Sequence, residues 1–237
     1  MSGSLRRRIF ATSATIMVGA VAFALGGRFV GAEDETSDTV DEAFTKLVCA
    51  PSPVICSTDD LERIKVRVED TVAEPEHLVN VVFNGRANVA ATGQKVSDEV
   101  IIRSAIADVV YRLAILHEAS FRNLDVSTEE AIAEIESNNA SLTDLSAGTL
   151  VPAPGFDLES MVRSSLEPEA VEAYRTGMII TRFIDEYVTP LGPDDPLEAR
   201  RLWMADMTNK LEIHIDGYDV AIDDLPEILA TPLFPRP

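Results

Sequence analysis

One predicted helix constrains the fold of this chain more than any other segment. After Ser97, apolar residues recur at spacings of four, three, four and three, which is the period of an amphipathic helix. They are Ile102, Ile106, Val109, Leu113 and Leu116. Ser97 is a suitable N-cap, and Asp98 and Glu99 suit the positively polarised first turn of a helix. A stripe of this length must be covered, so the sequence predicts a domain in which other helices pack on this one.

A second helix is predicted directly after a break in this pattern. Residues 124–126 interrupt the apolar period, and Ser127 and Glu130 then have the spacing of a capping box. We expect a short helix through Ile135. A loop should follow over residues 141–155, because serine, glycine and proline are frequent there.

Three more helices are predicted in the second half of the chain. One begins near Phe156, with Asp157 as its cap and Phe156 packed on Met161. Pro168 suits the first position of a longer helix, and an Asp-Pro pair at 195–196 opens another. The expected core residues of these two helices are Val171, Tyr174, Met178, Phe183, Ile184, Tyr187, Leu202, Trp203 and Met207.

Three short segments are predicted as strands. Residues 62–70, ERIKVRVED, alternate apolar and polar side chains, as a strand with one buried face does. Residues 78–85, LVNVVFNG, are an apolar run that ends in an Asn-Gly turn signal. Residues 210–216, KLEIHID, alternate again. The fold class is therefore mainly α with a small β element (α+β), and its short strands come from both ends of the domain.

The N-terminus has the pattern of an export signal. Three arginines, Arg6 to Arg8, precede residues 9–27, which contain no charge. Cleavage after Ala32 would make residues 1–32 a signal peptide. The apolar run is also close to the ~20 residues that span a bilayer, so an uncleaved anchor is the alternative. In both cases we expect the body outside the cytoplasm, either secreted or periplasmic, or anchored to the membrane by residues 9–27.

Two cysteines lie close together in the segment that follows. Cys49 and Cys56 enclose six residues, and in an exported chain such a pair most simply forms a disulfide. The alternative, two metal thiolates, would need further ligands nearby. The whole chain then divides into 1–32 (signal or anchor), 33–45 (acidic linker), 46–77 (disulfide loop and strand extension), 78–230 (helical domain) and 231–237 (flexible tail).

Charge and motifs exclude several functions. The chain has 40 acidic and 20 basic residues, a formal net charge of −20, which would repel nucleic acid. The sequence HEASF at His117 lacks the second histidine of a zinc-binding H-E-x-x-H motif. Most carboxylates fall at predicted helix starts, where the helix dipole accounts for them. We expect no metal, no cofactor and no catalytic residue.

The order of these segments resembles the N-terminal chaperone domain of the SurA and PrsA class of exported folding factors. The residues that carry the likeness are VVFNG (81–85), the helix ending in Glu118-Ala119, the turn NLDVSTEE (123–130), the helix pair of residues 156–188, and the closing helix and strand of residues 198–216. The resemblance implies that the returning strand packs beside the opening one. These factors often carry a parvulin-type prolyl isomerase domain, for which residues 141–155 leave no room.

The resemblance implies a chaperone-like protein that binds unfolded or extended polypeptide without catalysis. Met and aromatic side chains adapt to varied partners, and those that could line an apolar groove are Tyr111, Phe121, Met161, Met178 and Trp203. The same residues could instead belong to the core. The alternative function is a membrane-tethered scaffold outside the cytoplasm, whose acidic body docks one specific native partner.

Overall fold

The computed structural model describes residues 58–148 and 158–231. The export signal, the acidic linker, Cys49 and Cys56, the Phe156-Asp157 cap and the tail after Thr231 lie outside the described residues. The chain divides into two compact units. We call residues 58–124 and 182–231 the sheet unit, and residues 125–148 and 158–181 the helical unit.

The described part of the chain is mainly helical with a small antiparallel sheet, as the sequence predicts. In chain order its elements are α1 (Thr58–Glu62), β1 (Lys65–Val68), β2 (Thr71–Val72), α2 (Pro75–Thr92), α3 (Asp98–Phe121), α4 (Thr128–Gly148), α5 (Leu158–Ser164), α6 (Pro168–Phe183), a π-helical turn (Ile184–Val188), a 3-10 turn (Thr189–Leu191), α7 (Pro196–Thr208), β3 (Ile213–Asp216), a second 3-10 turn (Ile222–Asp224) and α8 (Leu225–Ala230).

The sheet has the strand order β2-β1-β3, and both pairings are antiparallel. The alternation in residues 62–70 has the predicted effect, because Val66 and Val68 are buried while Lys65 is exposed. Across the pairing, Val66 lies opposite Ile215 and Val68 lies opposite Ile213. These four residues therefore share the apolar face of the sheet.

Helix α3 is the central element of the sheet unit. Ser97 caps it as predicted, with its hydroxyl accepting from the amide of Val100 at 3.4 Å. Burial extends beyond the predicted stripe, since Ile101, Val110 and Ile115 are buried as well. Helices α2 and α8 and strand β1 all pack on α3. A helix enclosed on several sides is apolar around most of its circumference, which a single stripe does not describe.

The predicted strand at residues 78–85 is wrong, because these residues belong to α2. Leu78, Val82 and Val89 are buried, and their spacing is that of one helical face. Gly85 does not form a turn. A Cβ atom there would lie 2.8 Å from the side chain of Ile101, so this glycine lets α2 approach α3 closely. The strand beside the returning β3 is accordingly β1.

The predicted loop at residues 141–155 is wrong over its first half, since α4 continues to Gly148. The hydroxyl of Ser141 donates to the carbonyl of Ser137 at 3.0 Å, and that of Thr143 donates to the carbonyl of Asn139 at 2.8 Å. Bonding to the preceding turn satisfies these polar side chains inside a helix, where composition alone suggests a loop. Residues 149–155 lie outside the described part.

The helical unit has a small core of its own. Val126, Ala131, Ile135 and Val171 are buried, and Ile132, Tyr174, Met178 and Ile179 pack on them. The serine half of the predicted capping box is confirmed, because the amide of Glu130 donates to the hydroxyl of Ser127 at 3.1 Å. The predicted start of α6 at Pro168 is also confirmed.

Helix α7 corrects one predicted core residue. Asp195 caps it, accepting from the amides of Leu197 and Glu198 at 3.0 and 3.3 Å. Trp203 and Met207 are buried as expected, but Leu202 is 39% exposed, and Met204 fills the core instead. Ala199, Trp203 and Met207 recur every four residues along the buried face, and Leu202 lies to one side of that row. No helix of the described residues is long and apolar enough to cross a membrane.

Candidate functional site

The most distinctive surface of the sheet unit lies where α3 ends. It contains His117, Glu118, Phe121 and Arg122 from α3 and its cap, with Tyr187 from the π-helical turn. We call these five residues the aromatic corner. Phe121 is 72% exposed, the highest value among the large exposed apolar residues of the described chain. The centres of its ring and of the His117 ring lie 4.8 Å apart in an edge-to-face arrangement.

The backbone that ends α3 fixes the direction of this corner. Asn123 has a φ of 52°, the left-handed conformation that closes many helices. Its amide donates to the carbonyl of Ser120 at 3.3 Å, and the amide of Leu124 donates to that of Ala119 at 3.0 Å. These two bonds form a Schellman motif, which satisfies carbonyls at the helix end. Phe121 is thus held on a closed helix end.

Arg122 joins the corner to the π-helical turn. Its guanidinium carbon lies 4.3 Å from the centre of the Tyr187 ring and 5.8 Å from that of Phe183. Its Nη2 donates to Oε2 of Glu118 at 3.2 Å. A guanidinium over an aromatic face is attracted by the ring quadrupole. Arg122 is therefore oriented from two sides, although its side chain is partly exposed.

The phenol of Tyr187 has Glu186 and Arg122 as its charged neighbours. A hydrogen bond with Glu186 and partial burial raise the pKa of this phenol, and the charge of Arg122 opposes them. The bond with Glu186 uses the single O–H of the phenol, so its oxygen remains as a hydrogen-bond acceptor. A π-helical segment such as Ile184–Val188 is rare and often occurs at functional positions. The corner can therefore offer an apolar ring, a cation and a phenol, which suits binding.

A row of buried aromatic rings supports the corner from inside. The ring centre of Phe183 lies 4.9 Å from that of Tyr187 and 5.6 Å from that of Trp203. The ring centres of Trp203 and Tyr111 lie 5.3 Å apart. The hydroxyl of Tyr111 is buried and makes no hydrogen bond to a described residue. Burial raises the pKa of the Tyr111 phenol to about 12. Tyr111, Phe183 and Trp203 are buried core residues, so they support the corner from inside and do not contact a partner.

Two of the five residues predicted to line a groove are buried. Tyr111 and Trp203 are buried side chains of the sheet unit. Phe121 is exposed in the same unit. Met161 and Met178 belong to the helical unit, where Met178 packs against its core. Tyr111 and Trp203 thus belong to the core, which was the alternative for these residues.

The three histidines lie in separate environments. The pKa of His77 is lowered by burial and by the charge of Arg112, while Asp108 opposes this. His214 on β3 contacts Glu212, which directly precedes this strand. His214 first, and then Arg67, lower the pKa of the Glu212 carboxyl. Among the described residues, no group of three or more His, Cys, Asp or Glu side chains could hold a metal ion.

Sequence patterns did not identify Glu118, Arg122 or Tyr187 as site residues. Glu118 and Arg122 carry a local signal, because a Glu and an Arg four positions apart pair on a helix. The contact between Arg122 and Tyr187 has no such signal, since the two residues are far apart along the chain. Comparison with known protein families, with curated proteins and with solved structures gives no match.

Proposed function

We propose that the protein binds extended or unfolded polypeptide outside the cytoplasm, as a chaperone-like protein without a reaction of its own. The observation that carries the proposal is Phe121, a phenylalanine that is 72% exposed on a rigid helix end. A partner that covers a ring of this size gains free energy from the apolar surface removed from water. Arg122 beside it adds a cation whose N–H groups suit peptide carbonyls.

The likeness to the SurA and PrsA chaperone domain is part of this proposal. The order of elements from α3 to β3 supports it, with a helix, a tight corner, a capped second helix, a helix pair and a closing helix and strand. The helical state of residues 78–85 differs from it. The location outside the cytoplasm rests on the arginines and the uncharged run at residues 6–27.

An aggregation assay tests the proposal. The full chain should suppress light scattering by unrelated reduced or heated proteins at about equimolar ratio. Phe121→Ala should raise the concentration needed by about tenfold, because burial of a phenylalanine side chain contributes about 1.5–3 kcal/mol. Phe83→Ala is the matched control, since it removes a ring that is 45% exposed on α2. Unchanged scattering with excess wild-type protein contradicts the proposal.

The acid excess favours a second candidate function, a scaffold for one basic native partner. The chain has 40 acidic residues against 20 basic ones. Much of its positive charge is also paired internally. The described arginines that bind a carboxylate include Arg63, Arg67, Arg86, Arg103, Arg112, Arg122, Arg163, Arg175 and Arg201. A scaffold should retain one folded protein and leave the aggregation of unrelated clients unchanged.

A further inference from the structure

The outer edge of β3 is the second surface of the sheet unit that could receive a polypeptide. The sheet order β2-β1-β3 places β3 at one side, with β1 as its neighbour. Glu69 donates its amide to the carbonyl of Glu212 at 2.8 Å, which makes these two residues a hydrogen-bonded pair. Pairs alternate along an antiparallel ladder. His214 opposite Arg67 and Asp216 opposite Lys65 therefore also bond toward β1.

The same alternation turns Ile213 and Ile215 outward. Each has an amide and a carbonyl that point away from β1. Within residues 58–148 and 158–231, no hydrogen bond reaches these four outward groups. Ile215 is partly exposed and Ile213 is buried, so the edge is more accessible at its C-terminal end. An unpaired strand edge is a template for another strand.

The two faces of β3 define what the new strand must carry. Ile213 and Ile215 lie on the apolar face with Val66 and Val68, against which α3 packs. Glu212, His214 and Asp216 lie on the opposite face. In a strand that pairs with this edge, alternate residues would lie beside Ile213 and Ile215 on the apolar face. The residues between them would lie beside Glu212, His214 and Asp216 on the opposite face.

Charge decides among the possible occupants. A second copy that pairs antiparallel about His214 would place Glu212 opposite Asp216 of the other copy at both ends. Like charges directly opposite are destabilising. A cation in the same positions would be attracted, although Arg67 and His214 already contact Glu212. At the other end, Lys65 is the residue opposite Asp216 on β1. The edge thus disfavours self-pairing and favours a basic strand.

We propose that β3 binds an extended polypeptide by strand addition, with apolar residues opposite Ile213 and Ile215 and basic residues opposite Glu212 and Asp216. This inference rests on the proposed function and names its recognition mode. Backbone pairing supplies the affinity, and the alternate side chains supply the preference. The bound segment has the pattern basic, apolar, any, apolar, basic.

Backbone-methylated peptides test this pairing without altering the protein. The probe is a fluorescein-labelled peptide with the core Lys-Val-Thr-Val-Lys between Gly-Ser flanks, titrated with the full chain in an anisotropy assay. Methylation of the two valine amides removes the donors that would face β3. Binding should weaken by about tenfold or more, as expected for two lost hydrogen bonds. Methylation of the threonine amide and of the second lysine amide is the control, because these two amides point away from β3.

A charge variant of the protein tests the second part of the pattern. Asp216→Asn should weaken binding of the basic peptide by about threefold at low salt, and added salt should reduce this difference. Asp219→Asn is the matched control, since it removes an exposed acid outside the strand. A peptide with Glu in place of both lysines should bind more weakly to the wild-type protein than the lysine peptide does.

The outcomes separate this inference from the proposed function. If the chain suppresses aggregation but both methylated peptides bind equally, the edge proposal is overturned and the function stands. If the chain sediments as a dimer and the lysine peptide does not bind to it, the edge proposal also fails. If neither aggregation nor any peptide responds, both proposals fail together.

Discussion

The two units of the chain are held together in different ways. In the sheet unit, the buried helix α3 contributes twelve buried residues, and aromatic rings extend that core toward Tyr187. In the helical unit, a core of four buried residues is supplemented by polar contacts. Arg175 donates to the carbonyl of Val126 at 2.6 Å and to Asp125 at 2.8 Å, and Asn138 donates to the hydroxyl of Tyr174 at 2.6 Å.

This difference predicts where substitutions should be costly. Burial of apolar surface contributes most of the stabilising free energy of a fold, whereas exposed polar contacts contribute little net energy but fix geometry. We therefore expect the sheet unit to be the more stable of the two. The helical unit should depend more on the hydrogen bonds that hold α6 to the corner at Asp125 and Val126.

The largest effect is expected at the ion pair between α2 and α3. Arg86 Nε and Nη2 donate to Asp98 Oδ1 and Oδ2 at 2.6 Å each, with side chains only 8% and 13% exposed. Asp98→Ala leaves a buried guanidinium without this carboxylate. The free energy of unfolding should fall by about 3–5 kcal/mol, measured by urea denaturation.

A double variant separates the charge from the packing. Arg86→Met together with Asp98→Ala removes both partners, so it should cost less than Asp98→Ala alone. An equal or larger loss for the double variant would indicate that the packing of Arg86, and not the loss of its bond to Asp98, accounts for the effect.

The next largest losses of stability are expected from matched substitutions in the two cores. Ile106 on α3 is fully buried, and Ile135 is the corresponding large residue of the small core. Ile106→Ala should lower the free energy of unfolding by about 3 kcal/mol and Ile135→Ala by about 2 kcal/mol, because a small, partly exposed core relaxes more around a cavity. Hydrogen exchange should show that Ile135→Ala accelerates exchange in α4 and α6 only. Equal acceleration in α3 would contradict the division into two units.

Several of these features follow from the sequence because their causes are local. Ser97, Ser127 and Asp195 are caps whose partners lie within three residues, and β1 shows its buried face as alternation. The helical state of residues 78–85 could not be predicted in this way, because their valine content and the Asn-Gly pair suggest a strand. In the structure Leu78 and Val82 are buried on one helical face, and Gly85 lies against Ile101 of the next helix. Contacts between distant segments have no local pattern to reveal them.

The candidate site shows the same limit. The sequence identified Phe121 but grouped it with Tyr111 and Trp203, which are buried. Aromatic residues at helical spacing look alike whether they face a core or the solvent. The stacking of Arg122 on Tyr187 requires the end of α3 to meet the π-helical turn. The outward groups of β3 become visible only from its pairing with β1.

A smaller effect concerns the buried hydroxyl of Tyr111. It makes no hydrogen bond to a described residue, whereas Tyr174 of the helical unit accepts one from Asn138. Tyr111→Phe removes a polar group that gains nothing from burial, so the free energy of unfolding should stay constant or rise by up to about 1 kcal/mol. Tyr174→Phe is the matched control and should destabilise the protein. A clear loss for Tyr111→Phe would indicate that its hydroxyl is bonded in solution.

The smallest effect is a pH dependence of the helical unit. The pKa of Asp125 is lowered from its ordinary value of 3.8, first by the hydrogen bond from Arg175 and then by the amide of Val126. Because the folded pKa is the lower one, the unfolded state binds more protons in acid. The stabilisation is therefore present above the unfolded pKa and is lost as the pH falls through the folded value.

Asp125→Asn tests this sign. The variant should be slightly less stable than the wild type at pH 7, and the difference between their urea midpoints should shrink as the pH falls below about 4 and the wild-type carboxylate is protonated. Asp194→Asn, at an exposed acid of the sheet unit, is the control and should show no such trend. If the difference for Asp125→Asn stays constant with pH, the side chain acts through its shape or its bond to Val126. The ion pair with Arg175 would then have no part in holding α6 to the corner.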